Sequence, residues 1–368
     1  MSKFEVLDKP DDARKIDRGD MLGFCERMPE FCRDALQRAE RVQIAYTQPR
    51  NIVIAGMGGS AIGGELLRDW LNDKASIPIA VCRDYVLPTY VDEKSLLIAV
   101  SYSGETEETL SALLHAVKRH CMIVTVSSGG HLRAFSQKLE IPHIQIPEGF
   151  APRAAIAYLF FPLVTVMEKI GVNKETDEVE ESLQILQKTS RENALTTPFE
   201  KNLAKKLASE IEGTIPIVYG FRQYSAVARR LKCQFNENSK VPSKFDMFSE
   251  LNHNEVVGWE ASNNLTKNFS IVFLRDPEEP LEIKQRIQVT KQIASPKVSK
   301  ILEIHALGKK KLAKMLSAQY IGDFASVYLA LLQGVDPSPT KTISYLKQEM
   351  KKKHDVISKL EEEVKRVK

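Results

Sequence analysis

Residues 52–67, IVIAGMGGSAIGGELL, open with four apolar residues, turn through three glycines and continue in a helical pattern. The pattern predicts a strand over 52–55, a turn, and a helix that begins near Ser60 and ends before Pro78. A strand, a glycine turn and a helix start together bind an anion, because the first N–H groups of the helix point at it. The stretch therefore predicts an α/β fold that binds either the pyrophosphate of a dinucleotide or the phosphate of a small substrate.

Part of this stretch fits a dinucleotide fingerprint. Gly56, Gly58 and Ala61 satisfy its G-x-G-x-x-A form, and Asp84 ends the second predicted strand, where a ribose-binding acid would sit. Short glycine patterns are frequent by chance, so these residues support a nicotinamide enzyme only weakly. An NAD-dependent oxidoreductase stays open as an alternative, which a cofactor titration would test.

The third predicted strand, SLLIAV at 95–100, favours the single phosphate. It is followed directly by SYSGET at 101–106 and then by a helical pattern. In a parallel sheet, the loops that follow the strands meet at the carboxyl edge, where ligands bind. Small hydroxyls beside a helix start suit one phosphate, and a dinucleotide would not need the second cluster. We therefore predict a phosphate cup formed by Gly58, Gly59, Ser60, Ser101, Ser103 and Thr106.

Further apolar runs extend this plan through the chain. IPIAVC at 77–82, CMIVTVSS at 121–128 and HIQIP at 143–147 predict buried strands between helices. At 214 the plan starts again, because TIPIVYGFRQYSAVARRLKCQF repeats strand, glycine and helix, and NFSIVFLRD predicts another strand. We therefore predict two similar three-layer αβα domains with mainly parallel sheets, of which the second lacks Gly-Gly-Ser. The predicted organisation is an N-terminal helical segment at 1–48, a phosphate-binding domain at 49–172, a second domain at 173–348 and a charged C-terminal helix at 349–368.

The composition is that of an ordinary globular protein, with a net charge of +4 over 368 residues. So small an excess suits an anionic substrate and does not indicate nucleic acid. The five cysteines are odd in number and form no C-x-x-C motif, which indicates reduced thiols. The longest apolar run, 154–167, is too short to span a bilayer and contains Pro162, so it predicts a buried helix that is kinked or restarted there. The start has no apolar signal region, which favours a cytoplasmic protein without membrane contacts.

Two further helical patterns lie outside the predicted strands. Residues 21–45 predict a helix with an apolar stripe. The tail, from 351 onward, is highly charged, and its apolar residues make barely two heptads; they are Ile357, Leu360, Val364 and Val367. The tail therefore favours a helix docked on its own chain over a partner-binding zipper.

Five motifs in chain order resemble one known family. They are GMGGSAIGG at 56–64, SYSGET at 101–106, APRAAIAY at 151–158, FNENSKVPSKFDMFSELNHNEVVGW at 235–259 and DPSPTKTISYLK at 336–347. The first two look like sugar isomerase (SIS) domains, and the long fourth motif resembles the bifunctional phosphoglucose/phosphomannose isomerase branch of the phosphoglucose isomerase superfamily. The resemblance covers 52–347 and implies two SIS domains, a homodimer and no cofactor. One departure is Glu105, where the family often has asparagine, and a carboxylate so near a phosphate must point away from it.

Interconversion of an aldose phosphate and a ketose phosphate moves a proton between two carbons through an enediol. It needs a base, a cation or donor for the enediolate oxygen, and an acid/base pair that opens the sugar ring. The resemblance implies Glu237 as the base and Arg153 as the cation. It also implies His253, contributed across the dimer, and Lys347 for ring opening, and it implies that Thr340 lets the site accept mannose phosphates. Without the family, Glu237, His253 and Arg153 are better explained as solvated or structural residues. The roles of Lys347 and Thr340 rest on the resemblance alone.

Other classes of function stay open. A non-catalytic SIS regulator that binds a sugar phosphate would lose the base, the histidine or the lysine, yet all three are present. A zinc enzyme is suggested by ELNHNE, which holds Glu250, His253 and Glu255, but no second histidine stands at ligand spacing. We therefore expect a dimeric sugar-phosphate isomerase without metal or cofactor, which interconverts glucose 6-phosphate and mannose 6-phosphate with fructose 6-phosphate.

Overall fold

The computed structural model describes residues 3–366, which fold into two compact units. The first-sheet unit comprises residues 30–175 and 340–366. The second-sheet unit comprises the residues up to 29 together with 176–339. The first two helices of the chain therefore belong with the second sheet, and the C-terminal helices belong with the first.

Nine strands and fifteen α-helices lie within residues 3–366, joined by turns and short 3-10 helices. The strands are β1 (Asn51–Ala55), β2 (Ile79–Cys82), β3 (Ser95–Val100), β4 (Met122–Ser127), β5 (His143–Gln145), β6 (Ile215–Phe221), β7 (Lys244–Phe248), β8 (Phe269–Arg275) and β9 (Lys300–His305). The helices are α1 (Pro10–Ile16), α2 (Met21–Glu26), α3 (Met28–Glu40), α4 (Gly58–Leu71), α5 (Glu107–Lys118), α6 (Gly130–Lys138), α7 (Ile156–Lys169), α8 (Thr176–Asn193), α9 (Leu203–Ile211), α10 (Ser225–Glu237), α11 (Asn263–Thr266), α12 (Leu281–Ala294), α13 (Lys311–Leu332), α14 (Lys341–Lys353) and α15 (Val356–Arg366).

The first sheet is parallel, with the strand order β2-β1-β3-β4-β5. Its central strands β1 and β3 are buried along their whole length, which explains their unbroken apolar sequences. From β1 the chain crosses to β2 on one side and then to β3 on the other, so the strand order reverses between β1 and β3. Ligands of open α/β sheets bind at the carboxyl ends of the strands that flank such a reversal. The two loops predicted to bind phosphate leave these same two strand ends.

The second sheet is also parallel, with the order β7-β6-β8-β9. The prediction of two α/β units with parallel sheets is confirmed, and so are the central strands β6 and β8. The sequence prediction omits the edge strands β7 and β9. Their sequences, KFDMF and KILEIH, carry charged residues, and both strands are only partly buried. They therefore lack the unbroken apolar run that marks a central strand.

The helix predicted over 21–45 is wrong in detail, because the chain forms α2 and α3 there. Pro29 has no N–H group, so it cannot donate to the carbonyl of Cys25 and continue the first helix. Proline is tolerated in the first turn of a helix, which is its place in α3. The second helix ends at Glu40, before the predicted end.

The apolar run at 154–167 forms a buried helix, as predicted, but it does not restart at Pro162. A 3-10 turn, Pro152–Ala155, leads directly into α7 at Ile156. The helix then continues through Pro162, and twelve of its fourteen residues are buried. The break in the helical pattern therefore lies next to Arg153 and not in the middle of the apolar run.

By length and composition alone, α13 is able to cross a membrane. In this structure it is buried throughout and packs against α8, α9 and α10. A long apolar helix is also what a large core requires. The helix is thus the central core helix of the second-sheet unit.

The charged tail forms two helices that differ in their burial. None of the residues of α14 is buried, whereas Leu360 and Val364 of α15 are buried beside α5. The prediction that the tail docks on its own chain is confirmed for α15. Val367, the last residue of the predicted apolar stripe, lies outside the described residues.

Candidate active site

The turn between β1 and α4 forms the first wall of the candidate site. The helix begins at Gly58, whose φ of +50° lies in the left-handed region that favours glycine. A Cβ atom on Gly59 would lie 3.1 Å from the carbonyl oxygen of Pro152, so a side chain there would crowd the neighbouring segment. Ser60 follows and is buried. The wall therefore ends in a helix N-terminus, which carries partial positive charge.

The loop between β3 and α5 forms the second wall. Ser101 Oγ and Thr106 Oγ1 lie 2.9 Å apart, and the N–H of Gly104 donates to Ser101 Oγ over 3.1 Å. The N–H of Glu105 donates to Ser103 Oγ over 3.2 Å. Ser101 is buried and Ser103 is exposed. The hydrogen bonds of the loop thus fix all three hydroxyl side chains.

One hydrogen bond joins the two walls, because the N–H of Tyr102 donates to Ser60 Oγ over 3.2 Å. In that bond the serine oxygen accepts, so the hydroxyl proton of Ser60 can be donated to another group. The hydroxyl of Ser103 accepts in the same way. The structure therefore brings the six predicted cup residues together, with O–H donors beside a helix N-terminus. This arrangement suits one phosphate.

Tyr102 is a residue of this site that sequence analysis misses. Its hydroxyl donates to the carbonyl of Pro147 over 3.2 Å and accepts from the N–H of Phe150 over 2.7 Å. Burial raises the pKa of this phenol, which keeps it protonated. The side chain thereby ties the cup to the loop that leads to Arg153. The only signal in the sequence is an aromatic residue between two serines of a loop.

Arg153 lies in the 3-10 turn directly before α7 and is 4% exposed. That turn packs against the start of α4, since a Cβ atom on Gly59 would lie 3.6 Å from the Cα of Arg153. An arginine keeps its charge even when it is buried. The first-sheet unit therefore holds a permanent positive charge on the segment that adjoins the cup.

The carboxylate of Glu105 is directed to α6 and away from the hydroxyl groups of its loop. Its Oε1 accepts from the N–H of His131 over 3.1 Å, and its Oε2 lies 2.6 Å from His131 Nδ1. Because α6 begins at Gly130, the carboxylate also lies at the positive end of that helix. This orientation is the one that sequence analysis expects of an acid so close to a phosphate.

Glu237 is the last residue of α10, in the second-sheet unit, and it is half-buried. The two residues that follow are anchored on α13. Asn238 Nδ2 donates to Ser326 Oγ over 2.9 Å, and Ser239 Oγ donates to the carbonyl of Ser326 over 2.6 Å. The ammonium group of Lys240 donates to the backbone carbonyl of Glu237. The end of α10 is therefore held firmly, which suits a group that must meet a substrate carbon in a fixed geometry.

His253 ends the 3-10 turn Glu250–His253 of the second-sheet unit, and its side chain is exposed. The turn itself is anchored, because Leu251 is buried and Asn252 Nδ2 donates to Thr290 Oγ1 over 2.9 Å. The segment is therefore anchored, while the imidazole itself is exposed.

Thr340 directly precedes α14, and Lys347 lies two turns further along that helix. Residues seven apart lie on the same face of a helix, with Thr340 half-buried and Lys347 exposed. Both belong to the first-sheet unit, as the cup and Arg153 do. Of the predicted site residues, Glu237 and His253 belong to the second-sheet unit.

The two acids of ELNHNE take part in other interactions. Glu250 Oε1 accepts from Asn254 Nδ2 over 2.8 Å, and Glu255 Oε1 accepts from the hydroxyl of Tyr219 over 3.2 Å. Within residues 3–366, no three side chains of His, Cys, Asp or Glu are grouped so that they could hold a metal ion. Both acids of this segment therefore accept hydrogen bonds from other residues of the second-sheet unit.

Comparison with known proteins agrees with this architecture. Residues 45–151 match the SIS domain, and residues 200–350 match the bacterial phospho-glucose isomerase C-terminal SIS domain. A bifunctional phosphoglucose/phosphomannose isomerase of Caldicellulosiruptor bescii is 43% identical over 84% of this chain and 96% of its own. The protein of the same name from Aquifex aeolicus is 36% identical over 83% of this chain and 92% of its own.

Two further proteins are similar to this chain, one in sequence and one in fold. A D-glucosamine-6-phosphate 4-epimerase of Sulfolobus acidocaldarius is 32% identical over 64% of this chain and 72% of its own. The crystal structure of a hypothetical protein from Thermus thermophilus matches with a TM-score of 0.74 at 18% identity, covering 95% of this chain and 94% of that one. At so low an identity, the second similarity shows the fold alone.

Two units with parallel sheets and SIS-type sequences define a sugar-phosphate isomerase of the SIS class. Within that class, the chain belongs to the family of bifunctional phosphoglucose/phosphomannose isomerases.

Proposed function

We propose that this enzyme interconverts fructose 6-phosphate with both glucose 6-phosphate and mannose 6-phosphate through an enediolate. The observation that carries the proposal is the cup at the carboxyl ends of β1 and β3, with the segment of Arg153 packed beside it. The names of the similar enzymes, phosphoglucose and phosphomannose isomerase, support the choice of sugars. In this proposal the reaction needs no metal or cofactor, and the enzyme is a cytoplasmic homodimer without nucleic-acid or membrane partners.

The phosphate of the sugar lies in the cup. The start of α4 supplies partial positive charge, and the hydroxyls of Ser60 and Ser103 supply O–H donors. The phosphate takes no part in the bond changes, so this binding acts equally on substrate and transition state and mainly sets KM. Arg153 acts on the enediolate oxygen, where negative charge develops only as the reaction proceeds, so it lowers the barrier itself.

Glu237 is the base. From fructose 6-phosphate it removes a proton on C1 and returns it to C2, while a proton passes from the oxygen on C1 to the oxygen on C2. Because C2 is planar in the enediolate, the proton can return to either face, which yields glucose 6-phosphate or mannose 6-phosphate. Before this step the ring opens, with His253 of one chain and Lys347 of the other moving protons at the ring oxygen and the anomeric hydroxyl. Thr340 contacts the sugar where the two epimers differ.

The test uses chelator-treated enzyme without added cofactor. Fructose 6-phosphate is supplied, and the appearance of both aldose phosphates is followed for the wild type and for Glu237→Gln. Loss of a catalytic base lowers kcat by about 10²–10⁴-fold, and both products should fall together. Glu260→Gln is the matched control, because this glutamate is exposed in the same unit, and it should retain wild-type rates.

Each outcome bears on a different part of the proposal. If only glucose 6-phosphate forms, the mannose activity and the role of Thr340 are wrong. If Glu237→Gln keeps the activity, the base is another residue. If no aldose phosphate forms although fructose 6-phosphate still binds, a non-catalytic SIS regulator is the better description.

A further inference from the structure

The last helix, α15, is fastened to the first-sheet unit by several contacts. Leu360 and Val364 belong to the buried apolar cluster beside α5. Lys118 and Glu363 form an ion pair at 2.5 Å, and Lys138 Nζ donates to the carbonyl of Val364 over 3.0 Å. These contacts hold α15 in one position and orientation, and with it the side chain of Glu361.

His131 lies between two carboxylates on different elements. Its Nδ1 is 2.6 Å from Glu105 Oε2, and its Nε2 is 2.8 Å from Glu361 Oε1. An ionised carboxylate only accepts hydrogen bonds, so both contacts are hydrogen bonds when both ring nitrogens carry protons and the imidazole is charged. We call this arrangement the Glu105–His131–Glu361 bridge. It is a charge-assisted pair of hydrogen bonds, which is stronger than a neutral pair.

One end of the bridge lies in the phosphate loop itself. Glu105 follows Gly104 and precedes Thr106, within the stretch that supplies the hydroxyls of the cup. The loop is packed backbone to backbone on the start of α6, because a Cβ on Gly104 would lie 1.9 Å from the carbonyl oxygen of Gly129. The N–H of Leu132 also donates to the carbonyl of Gly104 over 3.0 Å. The position of His131 therefore bears directly on the position of the loop.

We propose that α15 is a positioning element for phosphate binding, in which Glu361 holds His131 and His131 holds the Glu105 carboxylate away from the cup. The inference rests on the proposed function, because it assumes that the substrate phosphate enters this cup. It assigns to Glu361 and His131 the role of positioning residues, since neither touches the substrate.

The physical need for such a device comes from the charge of Glu105. A carboxylate that turns to a bound phosphate repels it, and at a few ångströms two like charges interact appreciably even in water. Without Glu361 the imidazole has one carboxylate fewer to favour its charged form, and its hold on Glu105 weakens. Phosphate binding then weakens in substrate and transition state alike, so KM rises while kcat changes little.

The experiment is a mutant cycle on the full-length enzyme with fructose 6-phosphate as the probe. Glu361→Gln should raise KM about three- to tenfold, the size of one rearranged hydrogen bond, with kcat within about twofold of the wild type. Glu362→Gln is the matched control, because it removes the same charge from the same helix without a contact to His131. In a Glu105→Gln background there is no carboxylate to hold, so Glu361→Gln should have no further effect on KM. NMR titration should show a lower pKa of His131 in Glu361→Gln than in the wild type.

Three results would overturn the inference. The first is a KM for Glu361→Gln equal to that of Glu362→Gln, and the second is the same rise in KM with and without Glu105. The third is an unchanged pKa of His131 in Glu361→Gln. If the wild-type enzyme does not isomerise fructose 6-phosphate, the proposed function is wrong and the inference fails with it. The three results above refute the inference alone.

Discussion

The backbone N–H of Tyr102 donates to Ser60 Oγ over 3.2 Å, although the two residues are 42 positions apart in the chain. The bond connects the turn after β1 with the loop after β3, which are the two strands at which the order of the first sheet reverses. A donor from one loop and an acceptor from the other thus hold the two halves of the cup at a fixed spacing. The two halves of the cup are therefore held together by a hydrogen bond between the loops that form them.

Ser60→Ala removes both the acceptor of this bond and an O–H donor of the cup. The variant leaves the Tyr102 N–H without its partner, and the proposed phosphate site loses one hydrogen bond. We expect KM for fructose 6-phosphate to rise about tenfold, which corresponds to the loss of one such interaction, with a smaller change in kcat. Steady-state kinetics measure this split. Ser295→Ala, at an exposed position of the second-sheet unit, is the control and should match the wild type.

Tyr102→Phe tests whether this side chain positions the segment of Arg153. The variant keeps the ring but removes the hydroxyl that bonds Pro147 and Phe150. The partly buried N–H of Phe150 loses its acceptor, so the free energy of unfolding should fall by about 1 kcal/mol. Because the loop leads to the proposed cation, kcat should also fall. Urea unfolding and kinetics measure the two effects.

Tyr85→Phe is the matched control for that variant. The hydroxyl of Tyr85 is on a partly exposed ring and makes a single 3.3 Å contact with Glu107, so its loss should leave stability and kcat unchanged. A Tyr102→Phe enzyme with reduced stability but normal kcat would mean that the tyrosine supports the fold without positioning the arginine.

The parts of the molecule that the sequence predicts are those that depend on local pattern. Unbroken apolar runs mark β1 and β3, and glycine with small hydroxyls marks the loops that follow them. Parallel topology then requires both loops to lie at one edge, so the cup can be predicted without coordinates. The partner of Glu105 cannot be predicted in this way, because His131 is 26 residues further along and Glu361 is 230 residues beyond that.

The partners in a buried ion pair cannot be predicted from the sequence either. Arg230 of α10 and Asp323 of α13 bind each other in a buried bidentate pair, at 3.0 and 2.8 Å. They are 93 positions apart in the chain, on two helices that do not follow one another. Local periodicity does not identify Arg230 as the partner of Asp323, because tertiary packing alone brings the two helices together.

Asp323→Asn tests what this pair does for the end of α10, where Glu237 lies. The amide cannot accept hydrogen bonds at both of its former oxygen positions, and the buried guanidinium loses the counter-charge of Asp323. Breaking a buried ion pair in this way costs about 3–5 kcal/mol. We expect the urea midpoint to fall strongly and kcat to fall as α10 loses its support on α13. Asp177→Asn, on an 89% exposed side chain, is the control and should change neither quantity.

The activity should also depend on pH through His131. Partial burial lowers the pKa of this imidazole, but Glu105 and Glu361, the two charged groups that face it, outweigh burial and raise its pKa above the ordinary 6.5. Because the pKa of His131 is raised in the folded state, protonated His131 stabilises the fold fully below pH 6.5. This stabilisation is lost as the pH rises through the raised pKa. His115 lies on α5, which packs against α15, and its pKa is lowered by burial and by Arg119, so it stays neutral over this range. We therefore expect KM for fructose 6-phosphate to increase above pH 7 as the Glu105–His131–Glu361 bridge is lost.

The measurement is KM between pH 7 and 9, a range in which the substrate phosphate, with a second pKa near 6, keeps a nearly constant charge. Glu105→Gln shows whether the bridge or another titrating group causes the pH dependence of KM. The variant removes the carboxylate that His131 holds and leaves the cup hydroxyls in place. Its KM should be almost independent of pH over the same range, whereas that of the wild type rises. An equal rise of KM in both enzymes would assign the pH dependence to another group and would leave His131 with a purely structural role.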